Sequence, residues 1–283
     1  MTRREPMPVR SGPGPGRHCG VPNGFEEYGD IFEQRGHRYH AAMCACPHAR
    51  DAELETAVAW SDLHAGQVLC DVPSGAGYLR RFVDPRVTVV HVETSAVFAR
   101  LGRAQAAPVA LGTMYDLPLR TGGADRVLSL AALHHVADKR RFYREAFRIL
   151  RPGGALCIGD AGAGSPVACF LNEFVHAHNS MGHEGRFIGP EIAADLEAAG
   201  FRIDRAADVA VPWRFRSPEE MVEFVQALFG LDRATPAQIL QGVSEQLGWD
   251  RTQDGCQLRW ALRFVRATRP STAAGTAPGG RAS

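Results

Sequence analysis

The stretch Val68-Leu-Cys-Asp-Val-Pro-Ser-Gly-Ala-Gly77 decides the fold. It opens with an apolar run that ends in Asp71, and such a run without polar alternation is typical of a strand buried in a parallel sheet. The turn at residues 74–77 leads into a helical pattern, and glycine there lets the backbone approach a ligand closely. A helix N-terminus supplies unpaired N–H groups and the positive end of a dipole. The stretch therefore predicts a site for a nucleotide-like ligand that carries a carboxylate.

Short apolar runs and helical patterns alternate after this strand. The further strands are predicted at residues 87–92, 109–111, 126–130, 155–159, 201–211 and 257–265, and helices at 95–103, 139–150 and 190–200. Successive βα units imply a parallel sheet with helices on both faces. We predict an α/β, Rossmann-like fold with a seven-stranded, mostly parallel sheet whose last strand is antiparallel.

Helical patterns also flank and interrupt this sheet. Residues 25–65 are predicted to form an N-terminal helical lid, and residues 217–248 a helical insertion before the last strand. The ligand-binding domain then spans residues 66–267. Residues 1–24 and 268–283 are predicted to be disordered tails, because their composition is rich in small residues, proline and arginine.

The composition argues against nucleic acid and membrane as partners. The chain has 283 residues, 45% of them hydrophobic, and a formal net charge of +1, which gives no global attraction to polyanions. No apolar run approaches the roughly 20 residues that span a bilayer, and the first residues lack the apolar core of a signal peptide. The seven cysteines include no CxxC pair and suit a reducing compartment. We expect a cytoplasmic monomer or homodimer.

Glu93 ends the second predicted strand and is the second half of the ligand site. An acidic side chain at this point can accept hydrogen bonds from both hydroxyls of a ribose. The alternative interpretation is that Glu93 only places a negative charge at a helix N-terminus. We favour the ribose role because of the glycine turn upstream. The G-x-G-x-x-G fingerprint of nicotinamide enzymes is not matched, and no Gly-Lys-Ser/Thr of a phosphate-binding loop occurs.

With these motifs the chain resembles the class I methyltransferase family, in its broad type 11 group. The likeness covers residues 68–160 and extends more loosely to Val265. It rests on the glycine turn, residues 92–95, residues 112–119 and the stretch from Ala124 to Gly154. The resemblance implies that the cofactor is S-adenosylmethionine (SAM) and that S-adenosylhomocysteine is its product.

The resemblance also implies a role for individual residues. Those implied at the methionine end of SAM are Asp71, Pro73, Ser74, Gly75, Gly77, Leu130 and Ala131. Those implied at its ribose and adenine are Glu93, Thr94, Thr113 and Met114. Tyr39, with Phe32, is implied in a helix that closes over the cofactor. Pro73 stands where the family most often has glycine, so one backbone donor is lost there.

Histidines follow the fourth and fifth predicted strands, where the resemblance implies that the methyl acceptor binds. Histidine suits proton transfer because its unperturbed pKa lies near neutrality. We predict His183, His176 and His134 as catalytic residues; on a helix, His176, Asn179 and His183 would share a face. The residues predicted to bind the acceptor are His135, Asn179, Glu184, Arg186 and Trp213. The alternative, a divalent metal held by the histidines with Glu184, is not favoured, and no metal is expected.

The predicted reaction is methyl transfer from SAM to oxygen or nitrogen of a small molecule, with natural products among the candidate acceptors. Two alternatives keep the same cofactor. One is a cyclase or rearrangement enzyme without net methyl transfer, and the other is a non-catalytic SAM-binding partner subunit. The intact Gly75, Gly77 and Glu93 argue against the partner subunit.

Overall fold

The computed structural model describes residues 28–104 and 109–271. The predicted tail at 1–24, the first three residues of the predicted lid and residues 272–283 lie outside the described residues. Thr268 and Arg269 fall in the predicted tail but are ordered: Thr268 ends a strand, and Arg269 Nη1 donates to the carbonyls of Phe147 (2.8 Å) and Leu150 (2.7 Å). None of the helices described is both long enough and apolar enough to cross a membrane.

In the described residues, ten strands form two sheets. They are β1 (Val68–Asp71), β2 (Thr88–Glu93), β3 (Val109–Leu111), β4 (Ala124–Leu130), β5 (Leu150–Asp160), β6 (Arg202–Ala210), β7 (Trp213–Phe215), β8 (Trp249–Thr252), β9 (Gly255–Leu258) and β10 (Ala261–Thr268). The larger sheet has seven strands in the order β3-β2-β1-β4-β5-β10-β6. Only β10 is antiparallel, and it pairs with both β5 and β6. The predicted α/β fold class is confirmed.

Nine α-helices pack around the sheets in the described part of the chain. They are α1 (Tyr28–Ala45), α2 (Asp51–Ser61), α3 (Ala96–Ala104), α4 (Lys139–Ile149), α5 (Pro166–Phe170), α6 (His176–His178), α7 (Ile192–Ala198), α8 (Pro218–Phe229) and α9 (Pro236–Gln246). A π-helical turn, Leu171–Val175, joins α5 to α6. Three of these helices, α5, α8 and α9, begin at a side-chain cap. Their N-cap residues Ser165, Ser217 and Thr235 each accept a hydrogen bond from a backbone N–H and precede a proline.

The predicted strand at 257–265 is wrong as a single element. Its first part is in β9, the middle strand of a small sheet ordered β7-β9-β8, and its second part is in β10 of the main sheet. The chain changes sheets at Arg259 and Trp260. The Arg259 N–H donates to Gly248 O (3.0 Å), and Trp260 O accepts from Val211 N (2.8 Å). The periodicity of hydrophobic residues does not reveal this break, because the part in β9 and the part in β10 are both apolar.

The two N-terminal helices and the insertion share one hydrophobic core with the sheet. That core includes Met43 of α1, Leu54 of α2, Leu128 of β4 and Phe224 of α8. Helix α1 approaches α3 closely, since a Cβ on Gly36 would lie 2.8 Å from Val97 Cγ1. Helix α1 is therefore packed across the carboxyl ends of β1 and β4, the edge where ligands bind in open α/β sheets.

Candidate functional site

The loop after β1 is tied to the end of β2. After the cis Val72–Pro73 peptide, Ser74 N donates to Val92 O (3.0 Å) and Gly75 N donates to Glu93 Oε2 (2.6 Å). Gly75 (φ 57°) and Gly77 (φ 78°) both have left-handed backbone, which glycine adopts without steric cost. The helix predicted to follow is one short 3-10 helix, Tyr78–Phe82. The sharp bend brings bare backbone to the sheet edge.

Glu93 is completely buried and holds this loop to the start of α3. Its Oε1 accepts from Thr94 N (2.7 Å) and Ser95 N (2.8 Å), while Oε2 accepts from Gly75 N. Burial raises the pKa of Glu93 to about 8, against the lowering effect of these backbone donors. A carboxylate has about four lone-pair sites, so one remains for a ligand. The carboxylate can take one ribose hydroxyl, not both, unless a backbone contact is released.

Two adjacent cavities contain most of the residues implied at SAM, and Tyr28 borders both. The first, of about 70 Å³, is lined by Asp71, Pro73, Ser74, Gly75, Leu130 and Ala131, with Phe32 and Tyr39 of α1. The second, of about 180 Å³, is lined by Thr94, Gly112, Thr113, Met114, Tyr115 and His135. Most of the residues implied at the methionine end thus lie in one cavity, and Thr94, Thr113 and Met114 lie in the other. Gly77 and the fully buried Glu93 line neither cavity.

These residues fit SAM in chemistry, but the two cavities are smaller than a typical ligand pocket. The glycine bend presents backbone to the methionine end, Glu93 keeps an acceptor for ribose, and Thr113 offers a hydroxyl near adenine. Ligand pockets usually measure about 300 Å³ or more. Tyr28 lines both cavities and Phe32 lines the first, so both rings of α1 lie where the two cavities would have to join.

Helix α1 is fastened at two helix ends. Glu33 Oε1 accepts from Val97 N (3.3 Å), Ala96 N and the Ser95 hydroxyl (3.2 Å) at the N-terminus of α3. Arg35 Nη2 donates to Leu228 O (2.8 Å) near the C-terminus of α8. Each charge has the sign that its helix dipole favours. Burial lowers the pKa of Arg35 to about 10.

Three buried histidines, His134, His135 and His183, lie together beside the second cavity. We call them the histidine cluster. The first two come from the 3-10 turn Leu133–His135 after β4, and His183 comes from the loop after α6. Ring centroids are 4.1 Å apart for His134–His135, 5.5 Å for His134–His183 and 5.1 Å for His135–His183. The cluster extends from the second cavity, which His135 lines.

Two members of the histidine cluster have hydrogen-bonded partners at Nδ1. His134 Nδ1 lies 2.7 Å from Asp160 Oδ1, and His134 N donates to Asp160 Oδ2 (3.0 Å). His183 Nδ1 lies 3.0 Å from Asn172 Oδ1, which also accepts from Gly185 N (2.7 Å). In each neutral ring Nδ1 therefore carries the proton, and Nε2 is left as an acceptor.

Burial sets the protonation of two members of the cluster, His135 and His183. It lowers the pKa of His135 well below the usual range, and it does the same for His183; the neighbouring His134 lowers both further. These two imidazoles are therefore neutral at pH 7. A group of neutral imidazoles with free lone pairs can accept a hydrogen bond from a hydroxyl or bind a cation.

Sequence reasoning missed Asp160 and Asn172. Asp160 ends β5 at the sheet edge where ligands bind, and an acidic residue at such a strand end is a usable signal. Asn172 lies in the π-helical turn, far from His183 along the chain, and nothing in the sequence connects the two. Both residues orient imidazoles rather than line a cavity.

His176 and Asn179 are not brought into the cluster, because the helical face expected for them does not exist. Helix α6 ends at His178, and Asn179 has extended backbone (φ −106°). The exposed His176 bonds through Nδ1 to the backbone of His183. Asn179 is buried, and its Nδ2 donates to Phe229 O (2.7 Å). Both side chains hold the loop that carries His183.

The other acceptor residues expected from sequence also lie elsewhere. Glu184 and Arg186 are exposed on the loop after α6. Trp213 is only 1% exposed, stacks on Trp260 at 4.2 Å and donates from Nε1 to Glu53 Oε2 (2.8 Å). Its aromatic surface is therefore used for packing inside the core. Of the five residues expected at the acceptor, only His135 lines a cavity described above.

Comparisons with known proteins agree with this geometry. Residues 70–158 match the model of a methyltransferase domain. The chain is 28% identical over 156 residues to 27-O-demethylrifamycin SV methyltransferase of Amycolatopsis mediterranei, covering 50% of this chain and 57% of that protein. It is 43% identical over 49 residues to erythromycin 3''-O-methyltransferase of Saccharopolyspora erythraea, covering 17% and 16%.

The fold has close solved counterparts. The [4+2]-cyclase SpnF superposes with a TM-score of 0.58 at 18% identity, covering 86% of this chain and 95% of that one. The matches to the first curated relatives cover at most 57% of those proteins. The glycine bend, the acidic end of β2, the sheet order and the family match lead to one conclusion: residues 70–158 are a methyltransferase domain of the class I, SAM-dependent kind, with SAM as its cofactor.

Proposed function

We propose that this protein transfers the methyl group of SAM to a hydroxyl of a small molecule, with natural products as the acceptor class. The observation that carries the proposal is the histidine cluster beside the cofactor cavities, in which the His135 and His183 rings are neutral and the Nδ1 contacts of His134 and His183 leave Nε2 as an acceptor. A hydroxyl, unlike a free amine, must lose a proton during transfer, and the cluster suits that need. The rifamycin and erythromycin methyltransferases among the relatives support the acceptor class.

The chain's own residues position the reaction. SAM, when bound, supplies a methyl on sulfonium: the C–S bond breaks while the acceptor O–C bond forms, and sulfur keeps the electron pair. Glu93 and the glycine bend hold the cofactor, and the histidine cluster binds the acceptor hydroxyl and promotes loss of its proton. Asp160 keeps His134 in one tautomer. His176 acts through the His183 loop rather than at the hydroxyl.

The test is mass analysis of products. Purified protein is incubated with methyl-labelled SAM and matched pairs of acceptors that carry either a hydroxyl or an amine. We expect labelled products one methylene heavier from the hydroxyl members, with one S-adenosylhomocysteine formed for each. Methylation only of amines contradicts the proposal.

A second candidate function has one specific observation behind it. The fold likeness to a [4+2]-cyclase indicates that this architecture also supports chemistry other than methyl transfer. In that case products would be isomers of their substrates, SAM would not be consumed, and no label would be found. The same mass experiment therefore distinguishes the two functions.

A further inference from the structure

The histidine cluster has the composition and spacing of a metal site. One ring nitrogen from each of His134, His135 and His183 lies within 4.8 Å of the others, and all three residues are buried. Within the part of the chain that the structure describes, no hydrogen bond reaches either ring nitrogen of His135, although the residue is only 6% exposed. The three imidazoles therefore lie close together, and few protein hydrogen-bond donors compete for the lone pairs of their ring nitrogens.

The surrounding residues are those that metal-binding histidines use. A metal-bound imidazole usually donates its other N–H to a carboxylate or a carbonyl oxygen, which fixes the ring and its tautomer. Asp160 does this for His134 and the Asn172 amide oxygen does it for His183. The Asn172 amide is itself fixed, because its Nδ2 donates to Gly185 O (3.0 Å) and its Oδ1 accepts from Gly185 N.

The dimensions also fit a small divalent cation. Zinc binds imidazole nitrogen at about 2.0–2.1 Å, so three tetrahedral ligand nitrogens stand roughly 3.4 Å apart. The limit of 4.8 Å between the present nitrogens needs only small ring rotations to reach that spacing. Such rotations are available to His135, which no hydrogen bond restrains in the described structure.

We propose that His134, His135 and His183 bind one divalent transition-metal ion, with zinc as the ion that three imidazoles suit best. Three protein ligands leave a fourth position open, as in catalytic zinc sites. This deepens the proposed function and rests on it for one step: the ring nitrogens bind the cation instead of the acceptor hydroxyl, and a hydroxyl at the open position loses its proton to solvent more easily, because the cation lowers its pKa. The sequence alone led us to expect no metal.

The test measures binding first and activity second. The full chain is stripped with a chelator, dialysed against zinc and analysed for metal by mass spectrometry; cobalt is then substituted, and its visible ligand-field spectrum is recorded. We expect one zinc per chain and a tetrahedral cobalt spectrum. His135→Ala and His183→Gln should each weaken binding at least about tenfold, and Asp160→Asn about 10- to 100-fold. His48→Ala, in the exposed loop between α1 and α2, should bind like the wild type.

Circular dichroism and SAM binding confirm that each variant is folded. Absence of bound zinc in the folded wild type overturns the proposal, as does zinc binding that survives both His135→Ala and His183→Gln. Undiminished methyl transfer by the stripped protein refutes the metal's role while leaving the proposed function intact. One zinc per chain without any methyl transfer retains the metal site and refutes the proposed function.

Discussion

Asp160 determines which nitrogen of His134 is available for chemistry. Its two oxygens accept from the ring Nδ1 and from the backbone N–H of the same residue, and Oδ1 also accepts from Ala161 N (2.7 Å). A carboxylate held this firmly cannot rotate away, so the His134 ring has one orientation and one tautomer. The reactive Nε2 therefore depends on a residue that the substrate need not touch.

The first prediction is that Asp160→Asn lowers kcat about 10- to 100-fold and leaves SAM affinity within about twofold. The amide can present an N–H to Nδ1 and so favour the wrong tautomer. Steady-state kinetics over a pH series and calorimetry with SAM provide the readouts. Asp208→Asn, which breaks only the exposed pair with Arg263, is the control. Equal losses in kcat and SAM affinity would instead mean a general structural role for Asp160.

The second prediction concerns Glu93 and pH. Burial raises its pKa to about 8 in the absence of ligand, so most of the carboxyl is protonated at pH 7. A ribose hydroxyl donates best to the ionised form, and SAM must therefore bind more tightly as pH rises toward 8 and level off above it. Each unit below the pKa costs up to about tenfold in affinity.

Calorimetric titration with SAM from about pH 6.5 to about pH 9 checks this pH dependence. Glu93→Gln should bind SAM more weakly at pH 9 and lose the slope, because its amide does not ionise. An unchanged slope in this variant would assign the pH dependence to another group.

At the scale of elements, α1 closes the site by contacts at helix ends. Glu33 adds a second acceptor to the N-terminus of α3, where Ser95 Oγ already accepts from Phe98 N (3.3 Å). Arg35 meets the opposite dipole end at α8. Because Glu33 and Arg35 both lie on α1 while their partners lie on α3 and α8, an opening of α1 would break both contacts together.

The third prediction is that Glu33→Ala speeds SAM dissociation several-fold and destabilises the fold by about 1 kcal/mol, as loss of a helix cap does. Stopped-flow displacement of SAM and urea unfolding measure the two effects. Glu55→Ala, an exposed position on α2, is the matched control. If dissociation is unchanged while stability falls, Glu33 caps α3 without controlling access to the cofactor.

Strong local patterns predict elements well, and changes of direction are where sequence reasoning fails. The β1–loop–β2 unit, α3 and α4 follow from apolar runs and breaks that are local in the chain. The division between β9 and β10 depends on which sheet each part pairs with, and α6 ends because Asn179 bonds to Phe229 across the insertion. Such tertiary contacts leave no mark on hydrophobic period.

At the scale of the whole molecule, a buried polar network joins the N-terminal helices to the insertion. Arg50 bonds Glu53 through two nitrogens and also reaches Tyr39, and Glu53 Oε2 accepts from Trp213 Nε1 (2.8 Å). Arg50 and Glu53 are both buried, so each charge depends on the other. The network thus ties α1 at Tyr39 to α2 and to the small sheet.

The fourth prediction follows from that network. Trp213→Phe keeps the ring but removes the donor to Glu53, and it should lower the free energy of unfolding by about 1–3 kcal/mol. Urea unfolding followed by tryptophan fluorescence and by far-ultraviolet circular dichroism should give coincident transitions. Trp249→Phe, whose Nε1 bonds an exposed Ser244, should change stability by less than about 0.5 kcal/mol. Separate transitions would show that the insertion unfolds independently.

The sequence predicted the backbone bend after β1 and the acidic end of β2, but it did not predict how the residues expected at the acceptor would be arranged. Glycine turns and strand-end acids act through backbone geometry that nearby sequence encodes, as at Gly75 and Glu93. The acceptor side assembles residues from β4, β5 and the loop after α6, and its orienting contacts, such as Asn172 with His183, appear only in the folded chain.

The ring of Tyr28, which borders both cavities, has a kinetic consequence. A cofactor that reaches into both cavities would have to pass this ring when it leaves. We therefore expect each cycle to include an outward movement of the first turns of α1 and a return, whichever acceptor is used. Turnover should then slow in viscous solvent and respond little to the reactivity of the acceptor, because helix motion rather than bond making sets its pace.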